Sequence, residues 1–529
     1  MTDYQQRIKT LTESAHAPLL TGILRGIEKE ALRITPDGEL SQTSHPKALG
    51  ATLTHPRITT DYSESLLEFI TEPLADVKTL LQQLDDVHRY TYANINDESL
   101  WVSSMPCMLG SNDTIPIGRY GSSNIGKMKS VYRLGLGERY GRLMQTIAGI
   151  HYNFSLPDEF WAHLHQEENS TLSLQDFKTE RYFDLIRNFR RYFWILIYMF
   201  GAAPAICRSF VRDQDHKLET FGSDDHSLHL PHGTSLRMGN LGYQSAAQEE
   251  LVVCYNNLDT YISTLCKAIT EEHPDYAGLG LKDEKGEYHQ LNTSLLQIEN
   301  EFYSTIRPKR TSHSGETALN ALDSRGIEYI EVRCVDLNPY EPLGLNEEQI
   351  HFMDSFLMFC LYKDSPETDK LEFDNVLENQ KRIVNRGRDP ELTLKNGTHE
   401  KNMREWAHEI LDEMKETAGL LDKAYGVDDH IRSLQQQRAK LDNPELTPSA
   451  KILTDMKSQN LTFFRMAMNL AEQHKTHFTA ESLPTEKTAF FEDLAEQSHA
   501  KQAEIEAEDE PSFDEFLAAY YQQYRCCSG

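Results

Sequence analysis

The chain has 529 residues, 39% of them hydrophobic and 26% charged, a composition ordinary for a globular protein of two to three average domains or one large body with a helical appendage. Its 82 acidic and 53 basic residues leave a formal charge of −29, which argues against sequence-independent binding to nucleic acid or to an anionic membrane. A polyanionic ligand must therefore be met by local basic side chains and bound cations. Residues 1–20 lack the apolar core and cleavage site of a secretory signal, and no run approaches the about eighteen apolar residues of a membrane helix. The eight cysteines show no CxxC spacing, so reduced cytoplasmic thiols are expected rather than a disulfide framework or a zinc ribbon.

Taken in chain order, residues 26–34 (GIEKEALRI) read as a strand, with Glu28 and Glu30 pointing the same way. Residues 59–71 (TTDYSESLLEFIT) add Asp61, Glu64 and Glu68, and Gly121 and Gly126 around SSNI give a weak signal for a flexible lid. Residues 149–156 (GIHYNFSL) alternate, with His151, Asn153 and Ser155 opposite Ile150, Tyr152, Phe154 and Leu156. Residues 177–200 form a scaffold helix whose Arg187, Arg190 and Arg191 are expected to cap or pair with acids. The apolar run 192–207 is a buried helix ending at Gly201 and Pro204. Residues 213–232 hold four histidines at spacings that fit no metal-ligand pattern, so a mobile polar loop is expected. Residues 295–303 (LLQIENEFY) read as a strand presenting Gln297, Glu299 and Glu301, and 327–335 (IEYIEVRCV) as one presenting Tyr329, Glu331 and Arg333. Beyond 346 the pattern turns helical: 349–362 should bury a dense apolar stripe against the sheet, 403–424, 429–441 and 450–474 are amphipathic, and 512–524 closes the chain.

One alternating segment is what any antiparallel sheet with a wet face produces. Five of them bring carboxylates together, and converging carboxylates repel unless a cation lies between them; oxygen ligands suit magnesium or manganese. Magnesium completes its shell with waters and substrate phosphates, which points to nucleotide chemistry. The ligand candidates are Glu28, Glu30, Asp61, Glu68, His151 and Glu331. His151 on its own would read as a satisfied core histidine. Arg333 and the cluster Arg307, Lys309 and Arg310 could meet a transferring phosphoryl group, although the cluster reads equally as a solvated loop. There is no GxxxxGK[ST] motif, so the nucleotide is not held by a Walker cradle.

The runs GIEKEALRI, TTDYSESLLEFIT, YGSSNIG, YRLGLGERYGRLMQTIAGIHYNFS, TSLRMGNLGY, LQIENEFYSTIRPKR and GIEYIEVRCVDLNP resemble bacterial glutamate–cysteine ligases of the proteobacterial type, densely from about residue 22 to 338. The resemblance implies an α+β fold related to glutamine synthetase, in which a curved, mainly antiparallel sheet forms a funnel. The motifs all fall in the first part of the chain, which reads as a catalytic body over 1–345 with a helical part over 346–529 packed on it. The residues themselves offer Arg307, Lys309 and Arg310 for the nucleotide. The resemblance implies magnesium at the six ligand candidates, His151 among them, with ATP along the same polar wall. The cysteine substrate falls near Tyr62, Tyr132, Leu136, Gln145, Arg237, Tyr243, Tyr303 and Arg333; aromatic walls suit a thiol and arginine suits its carboxylate. The same tyrosines also fit an ordinary core. The implied reaction joins the γ-carboxylate of glutamate to the amine of cysteine through a γ-glutamyl phosphate, in a monomer inhibited by glutathione; on the residues, Glu331 and Arg333 are the catalytic candidates and the cytoplasm the expected location. Tyr62 stands where relatives carry Phe, and residues 211–232 match the family poorly. Three alternatives stay open: another amine acceptor, a magnesium-dependent phosphohydrolase, and a silent binding protein.

Overall fold

The computed structural model describes residues 3–212, 215–222, 225–241, 248, 251–508 and 511–524. Its strands in chain order are β1 (Leu24–Ile34), β2 (Ile58–Thr60), β3 (Leu66–Ile70), β4 (Ser99–Leu100), β5 (Ile150–Ser155), β6 (Ala205–Cys207), β7 (Glu219–Phe221), β8 (Ser227–His229), β9 (Ile306–Lys309), β10 (Tyr329–Val335), β11 (Thr393–Asn396) and β12 (His399–Asn402). Seven of them make one antiparallel sheet in the order β2-β3-β1-β5-β10-β9, with β4 on β1. The fold is α+β. Register decides what this sheet can do: Glu28 lies opposite His151, Glu30 opposite Glu68, and Glu331 opposite both Asn153 and Arg307. Directly opposed residues share a face, so one side of the sheet collects the carboxylates, the histidine and the basic residues.

The other face is mainly apolar, with Arg25 and Lys29 of β1 buried in it. Ile27, Tyr152, Phe154, Ile330 and Val332 are buried there. Helix Glu347–Tyr362, started by a capping box between Asn346 and Gln349, lies in this core and is buried along nearly its whole length. It brings Asp354 to a buried ion pair with Arg25 (2.8 Å) and to the hydroxyl of Tyr152 (2.6 Å). From residue 347 onward the described chain is helical apart from the hairpin β11–β12. Among the described residues no helix is long and apolar enough to cross a membrane.

Several expectations are corrected. Residues 295–303 are not a strand: Glu299–Glu301 is a single turn of 3-10 helix, because Glu301 accepts from Arg139 (3.0 Å), Tyr140 (2.7 Å) and the backbone of Gln297 (2.6 Å). Residues 59–71 are two strands with a tight turn, and on that turn Glu64 receives the backbone N–H of His45 and of Arg119, both at 2.9 Å, away from the acidic face. The scaffold helix is two helices, Leu174–Tyr192 and Trp194–Phe200, the second ending at Gly201 as expected. Residues 450–474 likewise divide between Pro448–Ser458 and Phe463–Thr479, with Asn460 in the left-handed region (φ 52°) between them. Part of 213–232 is ordered as β7 and β8 beside β6, while 213–214 and 223–224 lie outside the described residues.

The YGSSNIG segment is no lid in this conformation. Ser123 caps helix Asn124–Tyr140, Gly121 takes φ 82°, and the Ser122 N–H donates to Glu506 on the C-terminal helix Thr485–Ala507 (2.7 Å). Cys107 and Cys207, 100 residues apart, are disulfide-bonded with Cα atoms 5.5 Å apart, against the expectation of reduced thiols; local spacing carries no trace of a contact made by folding. Cys526 and Cys527 lie outside the described residues.

Candidate active site

The polar face of the sheet opens onto a cavity of about 260 Å³. Of the six metal-ligand candidates, Glu28, Glu30, Asp61, Glu68, His151 and Glu331 all line it, together with Arg307, Lys309 and Arg333. Ligand atoms of Glu28, His151 and Glu331 lie within 4.8 Å of one another. His151 Nδ1 stands 3.1 Å from Glu28 Oε2 and 3.8 Å from Glu331 Oε1, and Nε2 stands 3.5 Å from Glu30 Oε1. Asn153 donates to the other oxygen of Glu28 (2.8 Å), and Gly149 N–H to Glu30 Oε2 (2.6 Å), so both carboxylates are aimed by the neighbouring strand.

Charge divides this wall. Glu331, 1% exposed, lies 3.3 Å from Lys309 and 3.2 Å from Arg333. Burial favours its neutral form, yet Lys309, Arg333 and His151 outweigh that and hold the carboxyl well below its usual range. Burial likewise opposes ionisation of Glu28, and the hydrogen bond and charge of His151 bring it down. Glu30 behaves oppositely: burial beside Asp61 pushes it up to about 8. Glu68 is raised well above the carboxylate range by burial and by Glu28, Asp61 and Glu30. His151 is lowered by burial and by Arg333, against the opposing pull of Glu28 and Glu331. Carboxyls raised by burial and by one another, beside a buried His151 Nε2 with no hydrogen-bond partner, fit a hard divalent ion.

Tyr62, Tyr132, Leu136, Gln145 and Tyr303 line the other part of the cavity, and Gln145 donates to the Tyr303 hydroxyl (3.1 Å). Tyr132 and Leu136 come from one face of helix Asn124–Tyr140. The Tyr62 hydroxyl is buried without a hydrogen-bond partner. Arg307 lines the cavity and also ties down the preceding turn through the carbonyls of Asn300 (2.9 Å) and Phe302 (2.6 Å). Arg237 does not line the cavity. It is fully buried, donates to the carbonyl of Arg333 (2.8 Å) and lies 3.7 Å from Asp336, so it holds the backbone that carries Arg333. Arg310 is half-buried and does not line the cavity either, and Tyr243 lies outside the described residues.

Sequence reasoning missed Arg133, Met144, Ile147 and Asn300 on the cavity wall, and placed Glu301 on a strand. Arg133 could have been found: it follows Tyr132 and precedes Leu136 by three positions, on the same side of the helix. Its Nε donates to the Asp61 carbonyl, and its guanidinium carbon lies 4.3 Å from the centre of the Tyr120 ring.

A wall of buried and half-buried carboxylates and a histidine, flanked by arginines and a lysine, defines a class of site: one that binds a phosphorylated substrate through cations. The comparisons with known proteins give the particular family. The glutamate–cysteine ligase family model matches residues 8–383. A glutamate–cysteine ligase of Saccharophagus degradans is 53% identical over 518 residues, 98% of each chain, and one of Alcanivorax borkumensis is 50% identical over 98% of this chain and 100% of its own. A solved glutamate–cysteine ligase from Francisella tularensis, in complex with AMP, superposes with a TM-score of 0.89 at 35% identity, covering 96% of this chain and 98% of that one. The chain belongs to the glutamate–cysteine ligase family.

Proposed function

We propose that this ATP-dependent ligase joins the γ-carboxylate of L-glutamate to the amine of L-cysteine on the polar wall of a funnel of the glutamine-synthetase kind, the first step of glutathione synthesis. The observation that carries the reading is register: Glu28 opposite His151, and Glu331 opposite both Asn153 and Arg307, put acids and basic residues on one wall. Glu28, Glu30, Asp61, Glu68, His151 and Glu331 would hold magnesium, or manganese, which supplies charge neutralisation of the ATP phosphates. Arg333, Lys309 and Arg307 stabilise the charge on the transferring phosphoryl group, the planar forks of the arginines reaching two oxygens at once. The glutamate carboxylate takes the γ-phosphoryl group and ADP leaves. The amine then attacks the acyl carbon, loses its proton, and inorganic phosphate departs with the electron pair of the broken C–O bond.

Tyr62, Tyr132, Leu136, Gln145 and Tyr303 wall the acceptor end, with Arg237 acting from behind Arg333. Residues 1–345 then form the catalytic body and 346–529 its helical cover, in a cytoplasmic enzyme inhibited by its downstream product glutathione. One feature bears on a second acceptor: Tyr62 lines the cavity, and its hydroxyl is buried without a hydrogen-bond partner, a donor that a small shift of the ring would offer to a polar side chain. The test is ADP release with ATP, magnesium and glutamate, comparing cysteine with 2-aminobutyrate, glycine and no amine. Release that requires glutamate and favours cysteine supports the proposal. Preference for another amine moves the specificity, and phosphate release without any amine makes the protein a hydrolase.

A further inference from the structure

Three arginines on helix Leu174–Tyr192 were expected to pair with acids, and two do. Arg187 pairs with Asp184, and Arg191 takes both oxygens of Glu372. Arg190 makes no ion pair and no hydrogen bond among the described residues. Its guanidinium carbon is instead 4.4 Å from the centre of the Tyr255 ring and 5.5 Å from that of Phe373. Two aromatic rings orient a cation but leave its five N–H donors unmet.

Arg190 faces a second cavity, of about 400 Å³, within the range of small-molecule sites. The two cavities have one lining residue in common, Tyr303, whose backbone N–H is held by Gln248 (3.1 Å). Phe193, Phe302 and Phe373 give the second cavity an apolar interior, and Leu377, 37% exposed, stands on its wall. Its charges are unequal in availability. Asp374 and Glu378 are already paired, with Lys370 (3.1 Å) and Arg382 (2.7 Å), whereas Lys381, like Arg190, has no ion pair among the described residues. A partly desolvated guanidinium without an ion pair of its own gains most from a planar anion with two acceptor oxygens. The two acids disfavour a highly charged ligand such as a nucleotide. The aromatic interior asks for an apolar body.

We propose that this second cavity binds a small organic carboxylate, with its anion on Arg190 and its apolar body against Phe193, Phe302 and Phe373. The site is separate from the catalytic cavity, and its test reads binding rather than turnover. Phenylacetate and its neutral counterpart phenylacetamide are titrated into the full-length protein by calorimetry, with glutamate present at saturation. Saturable binding of phenylacetate is expected, about tenfold or more weaker for phenylacetamide and for Arg190→Gln, the scale of one lost charge-assisted hydrogen bond. Leu377→Trp, which narrows the cavity without touching charge, should weaken the acid as well. Equal binding of acid and amide, no saturable binding, wild-type affinity in Arg190→Gln or in Leu377→Trp, or displacement of phenylacetate by glutamate would each overturn the proposal. Thermal unfolding of both variants separates lost binding from lost structure, and if Arg190→Gln fails to fold, Leu377→Trp alone decides.

Discussion

Glu331→Gln keeps the shape of the buried side chain and removes one charge from the centre of the acidic wall. Glu331 lies 3.3 Å from Lys309 and 3.2 Å from Arg333, and at an effective dielectric near 20 each contact carries about 5 kcal/mol of Coulomb attraction before desolvation. Much of that is returned when the charge goes, because Glu28 loses a like-charged neighbour and the glutamine can still accept from Lys309. The metal-free fold should therefore lose less than about 2 kcal/mol, a figure typical of single substitutions. Magnesium binding should suffer far more. At a concentration a hundredfold above Kd the ion stabilises the native state by about 2.7 kcal/mol, and if affinity falls a hundredfold the same concentration adds only about 0.4 kcal/mol. The assay is urea denaturation with and without magnesium, read beside kcat, which should fall at least ~10²-fold, the scale for losing a preorganised charge at the reacting group. A variant that keeps both the magnesium-dependent stabilisation and near-normal turnover would refute the metal assignment. Equal loss of stability with and without magnesium would make Glu331 a structural residue.

Gly149→Ala builds a Cβ 2.0 Å from Arg237 Nη2, and should cost about 1–3 kcal/mol by overpacking while lowering kcat through the displaced Arg333 carbonyl; unchanged urea midpoint and activity would contradict this. Asp354→Asn leaves Arg25, 1% exposed, without its counter-charge, so a loss of about 3–5 kcal/mol is expected in thermal or chemical unfolding, with the carboxylate wall left in place. Burial and Asp61 raise Glu30 to about 8, so in chelator the native protein keeps a proton there that the unfolded chain releases above about 4.3. Native-state stability should then fall as pH rises from 5 to 8, by about 1.4 kcal/mol per unit for that proton. Glu30→Gln should gain on the wild type over that window, and parallel pH profiles for the two proteins would show that Glu30 ionises normally.

Much of the site was legible because period-two alternation is a local property. Residues 26–34, 149–156 and 327–335 each carry their acids, histidine or arginine on one face whatever they pair with, and each is a strand of the central sheet. Alternation misled where side chains were claimed by distant partners. Gln297, Glu299 and Glu301 alternate as cleanly, but Arg139, Tyr140, Ala318 and Tyr524 take the two glutamates, and the segment folds as a turn. Glu64 and Glu68 are both acids of one short segment, yet the hairpin turns Glu64 onto backbone N–H groups and leaves Glu68 in the cavity.

By itself the sequence determined which residues could share a strand face, that the chain beyond residue 346 turns helical, and that an acidic chain must meet phosphate through a few basic residues and a cation. Only the tertiary structure decided that Glu28 faces His151, that Arg237 supports Arg333 from behind, that Cys107 meets Cys207, and that Arg190 goes without an acid while Arg187 and Arg191 find theirs. The reason is physical: alternation and helical periodicity depend on residues a few positions apart, whereas register, burial and charge pairing depend on which distant segments the fold brings within a few ångströms.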